Sequence, residues 1–162
     1  MTLAEVYIHY KAIRKAFIHA EIGYPKEVLG LLVGDRFKWN NTLYTEVVDY
    51  VPIRRTESTR TKVMPKGDEM ARAYQYTVKK YKNMLIVGWA HSHPGYGCFL
   101  SDIDIDTQRR YFNQPYHIAM VVDPVRYEIG IFKLKGTNII RPSFKVIRRV
   151  PFYARRRAKS QN

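Results

Sequence analysis

Two histidines, one residue apart, are followed by a glycine-rich turn, a serine and an aspartate. His91, His93, Ser101 and Asp104 all fall within the 14 residues from His91 to Asp104. The run before them, Met84 to Ala90, is apolar and partly β-branched, which predicts a buried strand. Strand side chains alternate faces, so His91 and His93 point to the same side. Two imidazoles on one face can grip one ion, and a loop that folds back can add the Asp104 carboxylate. That is the geometry of a His-His-carboxylate metal site with one position open. Each part also has a plainer reading. His-x-His on a strand is more often structural than metal-binding. Ser101-x-x-Asp104 is a capping box opening a helix from about Asp102 to Phe112. The two readings are compatible, because a carboxylate in a first helical turn can face the backbone or a metal.

A further carboxylate lies upstream. Glu27 opens the apolar run Val28-Leu29-Gly30-Leu31-Leu32-Val33, where burial without a partner is expensive. It is either a charge at a strand edge in water or a general base beside an activated water.

Taken together, these residues resemble the JAMM, or MPN-plus, metalloprotease family. Its pattern is an upstream glutamate, then His-x-His-Pro, six residues, Ser, two residues, Asp. Glu27, His91, His93, Pro94, Ser101 and Asp104 match every element. Gly88-Trp89, Gly95-Tyr96-Gly97-Cys98, Asp104-Ile105-Asp106-Thr107-Gln108 and Val121-Val122-Asp123-Pro124 look like the proteasome-lid deubiquitinase and signalosome deneddylase branches. Ala90 and Phe99 stand where those branches carry larger aromatics, and Asp102 where they carry Gly. The resemblance covers roughly residues 5–135. It implies a curved mixed sheet flanked by helices, an α/β single-domain layer architecture like that of the cytidine deaminases. It also implies Zn2+ on His91, His93 and Asp104, Glu27 as general base, and Ser101 as donor to the oxyanion. The ligand set alone would also accept iron or manganese. The implied substrate bond is an isopeptide between ubiquitin or a ubiquitin-like protein and a lysine amine; nothing in the spacing distinguishes it from another amide. The implied partners are such conjugates and a proteasome-type or other assembly. The segment after Pro124 passes almost directly into a strand, so the family's second insertion is short or missing.

Length and composition set outer limits. The 162 residues suit one domain with a normal core. No apolar run reaches the roughly 18 residues of a membrane span. The amino terminus lacks a charged-then-apolar leader pattern, and with the single Cys98 this reads as a cytoplasmic protein. The net charge of +14 favours acidic partners and, secondarily, nucleic acid. A solvated basic surface accounts for it equally well.

The elements that must carry the site follow from periodicity. Val6-Tyr7-Ile8 predicts a short strand. Ile13, Ala16, Phe17 and Ala20 recur at helical spacing between Lys11 and Glu21, and Gly23 and Pro25 end that helix. Val28–Val33 predicts a strand buried on both faces, and Thr42–Val51 the next, with Asn40-Asn41 as the hairpin turn. Residues 54–61 predict a mobile loop, in the family an insertion over the site. A peptide tail could add there as a strand along Thr59, Thr61 and Val63. Asp68–Tyr81 predicts a helix whose stripe of Met70, Ala73, Tyr74, Thr77, Val78 and Tyr81 is core. Tyr116–Val122 and Tyr127–Leu134 predict two strands joined at Asp123-Pro124. The domain is expected over 1–147, with 148–162 a basic, partly disordered tail.

Three rivals are carried forward. Cys98 could serve a thiol protease, though no residue is evident to orient its base. The chain could be a non-catalytic scaffold, or a basic module for nucleic acid or acidic proteins. It could also be an amidase processing a ubiquitin-like sulfur carrier.

Overall fold

The computed structural model describes residues 3–54, 57–58, 63–64 and 67–148. The strands are β1 (Val6–His9), β2 (Leu29–Trp39), β3 (Thr42–Ile53), β4 (Glu57–Ser58), β5 (Val63–Met64), β6 (Leu85–Ser92), β7 (Ile118–Asp123), β8 (Glu128–Lys135), β9 (Asn138–Ile140) and β10 (Phe144–Ile147). The helices are α1 (Tyr10–Gly23), α2 (Gly67–Lys80) and α3 (Asp102–Tyr111). Eight strands form one mixed sheet in the order β10-β1-β3-β2-β6-β7-β8-β9, and β4 pairs with β5 apart from it. This is the expected curved mixed sheet flanked by helices. Among the described residues, no helix is long and apolar enough to cross a membrane.

Alternation along the central strands sorts their side chains onto two faces. Leu32, Val87, Ala90, Ile118, Met120 and Val122 pack with Ala12, Ile13, Ala16 and Ala20 of α1. Leu29, Leu31, Val33, Trp89, Ala119 and Val121 pack on the other side with Met70 of α2 and Phe112 after α3. The centre of the sheet is therefore apolar on both faces, as read for Val28–Val33. One row of the sheet matters for function. Ile53 pairs with Leu29 across β3 and β2, Leu29 pairs with His91, and His91 pairs with Val121. The row places the C-terminal ends of β3, β6 and β7 beside the N-terminal end of β2.

The structure extends or corrects several expectations. β2 continues to Trp39, past the last residue of β6 that it pairs with, so Asp35–Trp39 are exposed. Asn40 and Asn41 both take positive φ, 45° and 62°, the backbone that a two-residue hairpin requires. At the bulge in the β2–β3 pairing, a Cβ on Gly34 would lie 1.8 Å from the Glu46 carbonyl oxygen, so only glycine fits.

The α2 stripe is narrower than read. Met70 and Thr77 are buried and Ala73 and Tyr81 partly so, but Tyr74 and Val78 are 54% and 50% exposed. One seam of the helix meets the sheet, in place of the wide face the apolar residues suggested. Strands β9 and β10 were not legible: β9 is only three residues on β8, and β10 is held by parallel pairing to β1. Of the expected loop, Arg55, Thr56, Thr59, Arg60 and Thr61 lie outside the described residues, and so does the tail beyond Arg148.

Asp49, buried on β3, ties two helices to the sheet. It accepts from Lys15 Nζ at 2.8 Å and from Tyr81 Oη at 2.6 Å, and Lys11 Nζ lies 3.1 Å away. Burial alone would raise this carboxyl. The bonds from Lys15, Tyr81, the Tyr50 amide and Lys11 outweigh that and hold it well below the usual range. A carboxyl depressed in the folded state stabilises the fold above its unfolded pKa, about 4, and that stability is lost as pH falls below it. Asp49→Asn should therefore lower the thermal midpoint at neutral pH. The gap to the wild type should narrow as pH is taken down to about 3. A gap independent of pH would exclude this linkage.

Candidate metal centre

Trp89, His91 and His93 share the parity that faces α3. Ser92, between the histidines, faces the other way. Its hydroxyl accepts the Val28 amide at 2.9 Å, and its own amide donates to the Val28 carbonyl at 3.0 Å. The β2 end is thereby clamped to the histidine strand, and Glu27, one residue earlier, is brought to the cluster. Glu27 is buried, with Oε1 4.0 Å from His93 Nε2.

Asp104 arrives from α3. Its Oδ2 accepts the Ser101 amide at 2.8 Å, while Ser101 Oγ accepts the Asp104 amide at 3.2 Å. The capping box read from the sequence is present. The same Oδ2 lies 3.1 Å from His91 Nε2 and 3.4 Å from His93 Nε2, and the two Nε2 atoms are 3.1 Å apart. The oxygen that caps the helix is also the one that faces both imidazoles. The ligand atoms of His91, His93 and Asp104 all lie within 4.8 Å of one another, and all three residues are buried. Sequence reasoning named each of these residues, and the fold brings all of them together with Glu27 and Ser101.

The donor chemistry fits a divalent ion. His93 Nδ1 sits 2.9 Å from the Gly97 carbonyl, which can only accept. The ring proton is therefore on Nδ1, and the Nε2 lone pair faces the cluster. Burial, the largest influence, pushes the His91 pKa down and favours its neutral, ligating form; Asp104 opposes this without reversing it. Burial acts to raise the Asp104 pKa, but its surroundings, the two imidazoles beside it and the Ser101 amide that donates to it, hold it well below the usual carboxylate range. An imidazole lone pair and an ionised carboxylate are the donor types that zinc takes.

Three supporting residues had no role assigned from the sequence. Trp89 stacks on His91, centroids 4.5 Å apart, and its Nε1 donates to Gln108 Oε1 at 2.6 Å. Gln108 lies one turn after Asp104, so α3 buries a polar face, Asp104 and Gln108. Asp123 is fully buried and accepts the amides of Gly95, Gly97 and Val125 at 2.9 Å and of Arg126 at 3.1 Å. Burial would raise its pKa, but those four amides lower it. Asp123 thus holds the loop whose Gly97 carbonyl orients His93. Gly95 and Gly97 have φ of 88° and 85°, backbone that favours glycine. The signal for Asp123 was the one that marked Glu27, a carboxylate bordering an apolar strand.

Cys98 does not fit a nucleophile. Its thiol donates to the Val121 carbonyl at 3.4 Å, and burial, aided by Asp123 and Glu128, pushes its pKa up to about 11. At neutral pH it is a thiol, not a thiolate.

The fold and the site define an α/β domain with a His-His-Asp cluster able to hold one metal ion. Residues 1–114 match the family described as JAB1/Mov34/MPN/PAD-1 ubiquitin protease, and the chain belongs to that family. It is 37% identical over 153 residues to COP9 signalosome complex subunit 5 of Debaryomyces hansenii, covering 85% of this chain and 30% of that one. It is 32% identical over 152 residues to 26S proteasome regulatory subunit RPN11 of Eremothecium gossypii, covering 93% and 48%. The chain thus spans less than half the length of these relatives. A solution structure of a protein from Desulfitobacterium hafniense shares the fold, with a TM-score of 0.69 at 18% identity, covering 90% of this chain and 94% of that one.

His91→Ala and Asp104→Ala should each lose bound zinc by elemental analysis; undiminished zinc would remove them from the donor set. Asp123→Asn, which loosens the loop that orients His93, should weaken zinc binding about tenfold or more in a competition titration.

Proposed function

We propose that the chain is a zinc-dependent isopeptidase that removes ubiquitin or a ubiquitin-like modifier from conjugates or precursors. The observation that carries this is a buried carboxylate beside the three donors that is not one of them. Glu27 lies 4.0 Å from His93 Nε2, whereas Asp104 lies 3.1–3.4 Å from both imidazoles. A chain that only stored a metal would have no need to bury a further carboxylate there.

His91, His93 and Asp104 would hold the zinc, which when bound supplies Lewis-acid chemistry to water and to the scissile carbonyl. Glu27 takes a proton from the attacking water and delivers it to the leaving amine. Ser101 meets the charge that grows on the carbonyl oxygen. Its Oγ already accepts the Asp104 amide, so the hydroxyl proton is left to donate. His93 keeps its lone pair on the cluster through the Gly97 carbonyl. Family membership supports the isopeptide as the bond cleaved. The names of the two relatives place them in the COP9 signalosome and the 26S proteasome, which supports a place in a larger assembly. The net charge of +14 favours an acidic surface on the partner.

The test is cleavage of a panel of ubiquitin and ubiquitin-like fusions and lysine conjugates, with and without chelator. Cleavage of at least one, lost with chelator and insensitive to thiol alkylation, is the expected result. Glu27→Gln should keep zinc and lose a factor of roughly 100 or more in kcat. Turnover at the wild-type rate would remove Glu27 as the base.

A further inference from the structure

Tyr96 sits in the loop between His93 and Ser101, and the reaction above gives it no task. Its ring lies on the face of His93, with centroids 4.7 Å apart and planes 24° apart. Its hydroxyl donates to Glu27 Oε1, the oxygen that lies 4.0 Å from His93 Nε2. The backbone on both sides is pinned, because the Gly95 and Gly97 amides donate to Asp123. Phe99 adds a third ring, 4.7 Å from His93 and 6.2 Å from Tyr96. A phenol is ordinarily protonated at neutral pH, so the hydroxyl is a donor there.

A glutamate reaches its target through a flexible stem, and a general base must meet its proton within a few tenths of an ångström. Glu27 enters from the end of β2, while the histidines come from β6. The Ser92 clamp aligns the two backbones but leaves the Glu27 side chain to be aimed. A carboxylate offers about four acceptor positions. The bond from Tyr96 fixes the direction of one of its oxygens.

We propose that Tyr96 is a positioning residue for the general base. Its hydroxyl aims Glu27 Oε1 at the metal cluster while its ring holds the plane of His93, so a single side chain sets the base against a ligand. The assignment rests on Glu27 being the base of the isopeptidase reading.

Tyr96→Phe, Glu27→Gln and the double variant form a cycle with two readouts. In the metal-free protein, each single change should shift the thermal midpoint, and the double shift should differ from the sum of the two. In the zinc-loaded protein, on a ubiquitin–lysine isopeptide that the wild type cleaves, Tyr96→Phe should lose roughly tenfold in kcat with KM unchanged. It should cost nothing further in the Glu27→Gln background. Zinc affinity, measured against a chromogenic chelator, should stay within about twofold in Tyr96→Phe and fall in Tyr96→Ala, which loses the ring on His93. Additive midpoint shifts, or wild-type kcat in Tyr96→Phe, would overturn the proposal. If the wild type cleaves no isopeptide, the isopeptidase reading falls, and the midpoint cycle alone decides whether Tyr96 holds Glu27.

Discussion

A single oxygen governs the centre of this molecule. Asp104 Oδ2 closes the first turn of α3 through the Ser101 amide and meets both imidazoles from the sheet. A buried anion of this kind is tolerable only when its neighbours are donors or cations. α3 therefore has to start where it does, and the Gly95–Leu100 loop has to return the chain to that point. Helix capping and metal binding are commonly separate demands on a sequence; here one side chain is placed to answer both.

The remaining architecture brings distant segments to that oxygen. Parallel pairing of β6 with β7 sets Asp123 beside the histidine loop. Antiparallel pairing of β6 with β2 sets Glu27 beside the histidines. The apolar faces on either side of the sheet supply the cohesion, and the polar groups of the cluster gather at the strand ends. There the backbone amides of Gly95, Gly97 and Ser101 can satisfy the carboxylates they meet.

Much of this was legible in the sequence because it is local. The His-x-His parity, the Ser101–Asp104 box and the Asn40-Asn41 turn each need only a few consecutive residues to be recognised. Glu27 could be suspected from the cost of burying it, but its meeting with His93 depends on strand pairing across more than sixty positions. The parts that were missed are non-local or polar. β10 exists through its pairing to β1, and Asp123, though it borders an apolar strand as Glu27 does, finds its partners in the amides of a loop more than twenty residues away. α3 buries a carboxylate and an amide where a hydrophobic stripe is the usual guide, so its inner face could not be found by hydropathy. On α2 the error ran the other way: Tyr74 and Val78 have the right spacing for a core they do not enter.

The β2–β3 hairpin has a practical corollary. From Leu29, level with His91, the ribbon runs ten residues to Trp39, about 33 Å at strand rise. Its Asn-Asn tip is therefore remote from the chemistry, solvent-facing and held by its own ladder. A fluorophore, an affinity handle or a small inserted domain grafted there would report on the protein without crowding the cleft.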